Sequence, residues 1–103
     1  MKYIITEEQN IRLRALRRLD AVDELIEYRL RMPFTFDICN RYDKEELLDH
    51  IISWVNEDMY YDYFSDIDDN GEMWYKVWNI YNEYITIKYS KKIFDFYKRK
   101  CGK

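Results

Sequence analysis

The sequence predicts an all-α protein: a single small bundle of three to five helices with an extended strap near residues 33–42. Three observations carry that expectation. Gly occurs twice and Pro once in 103 residues, which leaves few places for the tight turns of an all-β fold. Apolar residues recur at steps of three and four over long stretches, the spacing of one helix face. Two of those stretches open on capping boxes, in which the first side chain accepts from an early backbone N–H and a Glu or Gln three residues on reaches back. The length suits one domain over residues 1–103, and a chain of this size buries somewhat over ~60% of its extended surface without help from metal.

Tyr3, Ile4 and Ile5 have no clear partner strand, so they are expected to pin the terminus to the core. Thr6 and Gln9 form the first capping box, and Glu7 and Glu8 sit where the helix dipole favours negative charge. Ile11, Leu13, Leu16 and Leu19 supply an apolar side; Arg14, Arg17 and Arg18, with Arg12 nearby, share another. Asp20 either caps a second helix or lies on a continuation of the first, and Leu25, Ile26 and Leu30 carry the pattern to Met32. Pro33 disfavours helical geometry at Met32 and ends the element. Phe34, Phe36 and Ile38 then alternate with Thr35 and Asp37, as an extended strap with one apolar side does, and Cys39 is expected to join that packing.

Asp43 and Glu46 form the second capping box and open the element around which the chain is organised, a helix running to Phe64 and roughly 33 Å long. Leu47, Leu48, Ile51, Ile52, Val55, Met59 and Tyr63 face the core; Asp49, Ser53, Asn56, Glu57 and Asp62 fill the other side. A last helix is predicted from Glu72 to about Lys100, with a potential break where Ile85, Thr86 and Ile87 cluster β-branched side chains. It carries two apolar stripes. Trp74, Trp78, Tyr81, Ile85, Tyr89, Ile93 and Phe96 form one; Val77, Ile80, Tyr84, Ile87, Phe94 and Tyr97 form the other. Such a helix is either surrounded or offered to a partner on one side.

Eleven Tyr, five Phe and three Trp are more rings than so small a domain hides, and Tyr suits a half-wet interface. Charge is partitioned along the chain: residues 1–36 carry +1, residues 37–73 carry −10 and residues 74–103 carry +6, for a net −3. Either the basic ends fold back on the acidic middle, or the acidic face is open to a basic partner or imitates nucleic-acid phosphate. Direct nucleic-acid binding has two footholds, the arginines of the first helix and the C-terminal lysines. Neither matches a reader motif, and the pI near 5.2 argues against generic phosphate binding. Cys39 and Cys101 stand far apart and in no zinc-ligand spacing, and the start turns acidic before any apolar signal core can form; reduced thiols are expected. No run approaches the ~18 apolar residues of a membrane span.

Asp66-Ile67-Asp68-Asp69-Asn70-Gly71 matches the first half of a calcium-binding EF-hand loop, making Asp66, Asp68 and Asn70 the metal candidates. Val77 stands where the closing Glu belongs, so the expected reading is an acidic turn whose Gly supplies an unusual backbone angle, and no cofactor is expected. His50, four residues after Glu46, is expected to face solvent. No Ser, Thr or Cys lies in an activated context and no Gly-rich phosphate loop exists, so an enzyme is not expected.

The opening Met1-Lys2-Tyr3-Ile4-Ile5-Thr6-Glu7-Glu8-Gln9, followed by an Arg-rich helix, a Pro-aromatic-Cys strap and an acidic amphipathic helix, resembles small uncharacterised proteins of tailed phages, especially from environmental viral sequences. The likeness covers order and flavour over most of the chain and is close only at the opening. It implies a virus-encoded accessory or structural protein in the cytoplasm of a bacterial host or in the virion. The expected role is non-enzymatic binding of another protein, a host factor or a second copy, through Trp74, Trp78, Tyr84, Ile87, Phe94 and Tyr97 and an acidic face of Asp49, Glu57, Asp58, Asp62, Asp66, Asp68 and Asp69. A minor virion component and an acidic nucleic-acid mimic are the alternatives.

Overall fold

The computed structural model describes residues 7–32, 34 and 37–102; the Thr6 capping box, the Tyr3–Ile5 segment and most of the alternation around Phe36 lie outside them. Five helices, α1 (Glu7–Arg17), α2 (Leu19–Arg31), α3 (Ile38–Arg41), α4 (Lys44–Tyr63) and α5 (Glu72–Cys101), make an all-α bundle with no strand among the described residues. The bundle is elongated, 59 × 23 × 19 Å. α1 and α2 succeed one another along α5 in the same direction, Ala15 meeting Tyr81 and Asp23 meeting Tyr89, while α4 runs antiparallel to α5 as the other arm of a hairpin.

The break between α1 and α2 falls at Arg18, whose N–H turns back to the Ala15 carbonyl at 3.1 Å. Tyr81 donates its hydroxyl to the same carbonyl at 2.9 Å, so a backbone acceptor released by the break is satisfied inside the core. Asp20 does not cap α2 but lies in its first turn, near the positive end of the dipole. The predicted apolar side of α1 needs correction: Leu13 and Leu16 are over 40% exposed, whereas Ile11 and Ala15 are buried in line with Val22 and Ile26 of α2. Ala15 is what brings α1 close enough for the Tyr81 hydroxyl to reach its backbone. α2 stops at Met32, whose ψ of 137° is the extended geometry a residue before proline adopts.

The strap is not extended throughout. Asp37 accepts from the Cys39 N–H at 3.0 Å and from Asn40 Nδ2 at 2.7 Å, and that cap starts the single turn α3. Ile38 is buried beneath it. Cys39 and Cys101 are joined in a disulfide, which overturns the expectation of reduced thiols: a 62-residue separation in sequence becomes 5.5 Å between Cα atoms because α5 returns alongside α3.

α4 begins as predicted. Glu46 N–H donates to Asp43 Oδ1 at 2.8 Å and Asp43 N–H to Glu46 Oε1 at 3.1 Å, both halves of the box. Leu47, Leu48, Ile51, Ile52, Val55 and Met59 are buried as expected, but so is Asn56, which pattern placed on the polar side. Its Nδ2 donates to the Ile52 carbonyl at 3.1 Å. α5 runs for 30 residues without a break at Ile85–Ile87, since Ile85 is wholly buried and its burial outweighs the few tenths of a kcal/mol of β-branched propensity. Gly102, in the left-handed region at φ 65°, closes α5 by donating to the Lys98 carbonyl.

The charge blocks meet differently from either expectation. Arg14 reaches the acidic middle, donating to both oxygens of Asp66 at 3.0 and 2.8 Å and to the Tyr63 carbonyl. Lys88 and Lys92 of α5, however, pair with Asp23 and Glu27 of α2. The C-terminal cations are therefore partly neutralised by the first third of the chain, and most carboxylates of the middle have no ion-pair partner among the described residues.

Candidate functional site

The sequence-predicted binding residues of α5 separate into three groups. Trp74 and Tyr97 belong to the core, at 8% and 5% exposure, with the Tyr97 hydroxyl donating to the Tyr42 carbonyl at 2.7 Å. Tyr84 donates to Asp23 at 2.8 Å, and Phe94 lies beneath the Lys44 ammonium, so both are engaged inside the molecule. Ile87 is 76% exposed and Trp78 is half-buried. The second stripe is therefore not an open apolar face.

Asp23 is the best-connected carboxylate. Tyr89 and Tyr84 donate to Oδ1, and Lys88 donates to Oδ2 and to the Tyr84 hydroxyl. Burial pushes its pKa up, but the three donors outweigh burial and hold it below the usual carboxylate range. The same node raises Lys88, chiefly through its hydrogen bonds to Tyr84 and Asp23, and raises Tyr89, chiefly through burial. It locks α2 to α5, a structural task.

The seven carboxylates assigned to one acidic face occupy several places. Asp49 and Glu57 point outward from α4. Asp58 is half-buried, its pKa raised first by burial and then by Asp62 and Glu57. Asp62 borders a groove shared with Glu24 and Tyr28 of α2. Asp66 is held by Arg14, whose hydrogen bonds depress its pKa. Asp68 and Asp69 sit in the α4–α5 turn. The metal candidates do not converge either: Asp68 Oδ1 accepts from the Asn70 N–H at 3.0 Å, and the described residues hold no cluster of three or more metal-binding groups. Gly71 has an ordinary φ of −89°, which corrects the expected unusual angle; a Cβ there would stand 3.1 Å from Asp68 Cβ and 3.2 Å from the Asp68 carbonyl, so close approach is its reason. His50 is not solvent-facing. It stacks on Tyr42 with centroids 5.1 Å apart, and burial, then Arg29 and Arg41, lower its pKa.

What the fold does bring together is a slot at the hairpin end. The turn after α4 is held by the Tyr60 hydroxyl donating to the Ile67 carbonyl at 3.0 Å and by the Gly71 N–H donating to the Asp68 carbonyl at 3.0 Å. This places Asp69, Asn70 and Glu72 beside Trp74, Tyr75 and Trp78 around an open groove of about 500 Å³. The rings continue inward and across to α4: Tyr61 meets Tyr60 at 5.6 Å, Tyr60 meets Trp74 at 5.0 Å, and Trp74 meets Trp78 at 6.5 Å, each pair edge to face. Tyr61 and Tyr75 are two-thirds exposed. The pKa of the Tyr60 hydroxyl is raised by burial and then by the charges of Asp69 and Asp68.

Elsewhere this chain roofs several of its rings with cations. Arg14 covers Phe64, Arg18 covers Tyr63, Arg29 lies 4.6 and 4.8 Å from the Phe34 and Trp54 centroids, Lys88 spans Tyr84 and Tyr89, and Lys100 covers Phe96. Over the rings of Tyr60, Tyr61, Trp74, Tyr75 and Trp78 no described cation lies, although carboxylates border them, one of which, Glu72, pairs with Lys76 at 3.8 Å; Tyr28, isolated on α2, is also uncovered. Sequence reasoning found Trp74, Trp78, Asp68 and Asp69 but missed Tyr60, Tyr61, Glu72 and Tyr75. The available signal was the 72, 75, 78 spacing, which sets Glu72 and Tyr75 on the flank of Trp78. No helix among the described residues is long and apolar enough to cross a membrane. Compared with protein-family models, with curated proteins and with solved structures, the chain matches none.

Proposed function

We propose that the chain is a non-enzymatic interaction protein, of the phage accessory kind its opening resembles, that binds another protein through the slot at its hairpin end. The supporting observation is the coincidence of exposed rings and carboxylates with no described cation over the rings, in a molecule that covers Phe34, Trp54, Tyr63 and Phe64 with Arg. Cation–π contact with an adjacent carboxylate is a mode of recognition for Arg and Lys side chains, worth about 0.5–1 kcal/mol at exposed sites and more when desolvated. The test is calorimetric titration with an arginine-rich peptide. The reading predicts saturable binding that Tyr75→Ala and Asp69→Lys each weaken; equal binding by the variants contradicts it.

The disulfide favours the virion reading over the cytoplasmic one, because such bonds persist on virion and cell surfaces and in secreted proteins and are rare in reducing cytosol. Its test is mass spectrometry of purified particles. The nucleic-acid mimic draws less support, since Asp66 is neutralised by Arg14 and the other carboxylates do not form one continuous strip.

A further inference from the structure

No described cation lies over the rings of the slot, and cations that could do so are present on the chain itself, at the far end of the same helix. Lys91, Lys98 and Arg99, with the single carboxylate Asp95 among them, line an exposed surface on the C-terminal half of α5 and have no ion-pair partner among the described residues, unlike Lys88 and Lys92 beside them. Ile87, 76% exposed, precedes Lys91 by one helical turn and adds an apolar contact to that strip.

Tyr75 and Lys91 to Lys98 are separated by about 24 to 35 Å along α5. The slot lies on the α4 flank, where Tyr60 meets Trp74; the strip lies on the α2 flank, where Lys88 and Lys92 bond Asp23 and Glu27. Opposite charge at opposite ends and on different flanks cannot be satisfied within one rigid helix. It can be satisfied between copies.

We infer that the slot of one chain takes the cationic strip of a second copy, Lys91 and Lys98 entering beside Tyr75 and Trp78 against Asp69 and Glu72. This rests on the reading of the slot given above and names its occupant. The contact is heterologous, so each bound copy still offers a free slot and a free strip, and assembly proceeds to a ring or an open filament rather than stopping at a two-fold dimer. Both surfaces are solvated, so the association is weak and sensitive to salt.

The test is sedimentation velocity of the whole oxidised chain over a concentration series at low and at high ionic strength. The inference predicts concentration-dependent growth beyond dimer at low salt and its loss at high salt. Asp69→Lys/Glu72→Lys and Lys91→Glu/Lys98→Glu chains should each stay monomeric alone. Mixed, they should associate, because one keeps its strip and the other its slot. All four positions are exposed, and far-ultraviolet circular dichroism of each variant checks that the fold is kept. A wild-type chain that stays monomeric at low salt, or assembly indifferent to the strip reversal, overturns the inference. If the arginine-rich peptide still binds that monomer in a Tyr75-dependent way, the second copy is refuted as occupant while the slot reading stands; if it does not bind, both fall.

Discussion

Reducing the Cys39–Cys101 disulfide should cost this protein a large share of its stability. The bond closes a 62-residue separation, and in the chain-entropy description closing a loop of that length removes about 14 cal/mol/K from the unfolded ensemble, or about 4 kcal/mol at 25 °C. Domains of this size have about 5–15 kcal/mol in total, and each kcal/mol shifts Tm by roughly 4–8 °C, so the expected fall is on the order of 15–30 °C. The bond is not the sole contact at that end: Ile38 is buried, the Tyr97 hydroxyl donates to the Tyr42 carbonyl, and Asp37 caps α3. The reduced chain should therefore keep its helices at low temperature and melt early. The assay is thermal unfolding followed by circular dichroism with and without dithiothreitol, with Cys39→Ser/Cys101→Ser as control. Oxidised protein should melt well above both reduced protein and the variant, and the reductant should not move the variant. Superimposable curves, or two alkylatable thiols in the non-reduced protein, would refute the reasoning.

Other expectations concern single side chains. Asn56 is wholly buried with Oδ1 unpaired among the described residues, so Asn56→Leu should raise stability by about 1 kcal/mol in urea unfolding; a loss of similar size would mean the amide has a partner. Tyr81→Phe removes the donor to the Ala15 carbonyl at the α1–α2 break and should cost about 1 kcal/mol or more by the same measurement. Asp43→Ala should cost about 1 kcal/mol by removing the better half of the capping box. His50 has a folded pKa below its unfolded value near 6.5, so its contribution is complete above that pH and is lost as pH falls through the folded value. Stability should decline with acid from about pH 6.5, and His50→Gln should flatten that part of the curve; an unchanged slope argues against the assignment.

What could be read from the sequence was whatever is encoded within a few residues. The Asp43–Glu46 box, the Gly and Pro count and the three-and-four spacing gave α4 and α5 nearly to the residue, because caps and amphipathic stripes are local. Ala15 was passed over because a small residue carries no hydropathic signal, although its smallness is what admits Tyr81. Asn56 was misplaced because periodicity ranks it polar while the rotation of α4 against α2 and α5 decides its burial. The disulfide, the Asp23 node and the Arg14–Asp66 pair join residues 52 to 66 positions apart, so they follow from the parallel course of α1–α2 and α5 rather than from any motif. The slot was half legible: its acidic turn and its tryptophans stood out, but Tyr60 and Tyr61 arrive from the other arm of the hairpin.

The three indole N–H groups provide the most direct readout of the slot. Trp54 is already covered by Arg29, whereas Trp74 and Trp78 line the groove. In nitrogen–proton correlation spectra recorded while an arginine-rich peptide is added, the Trp74 and Trp78 indole signals should move and saturate together while Trp54 stays in place. Movement of Trp54 alone, or three stationary signals at saturating peptide, would contradict the account.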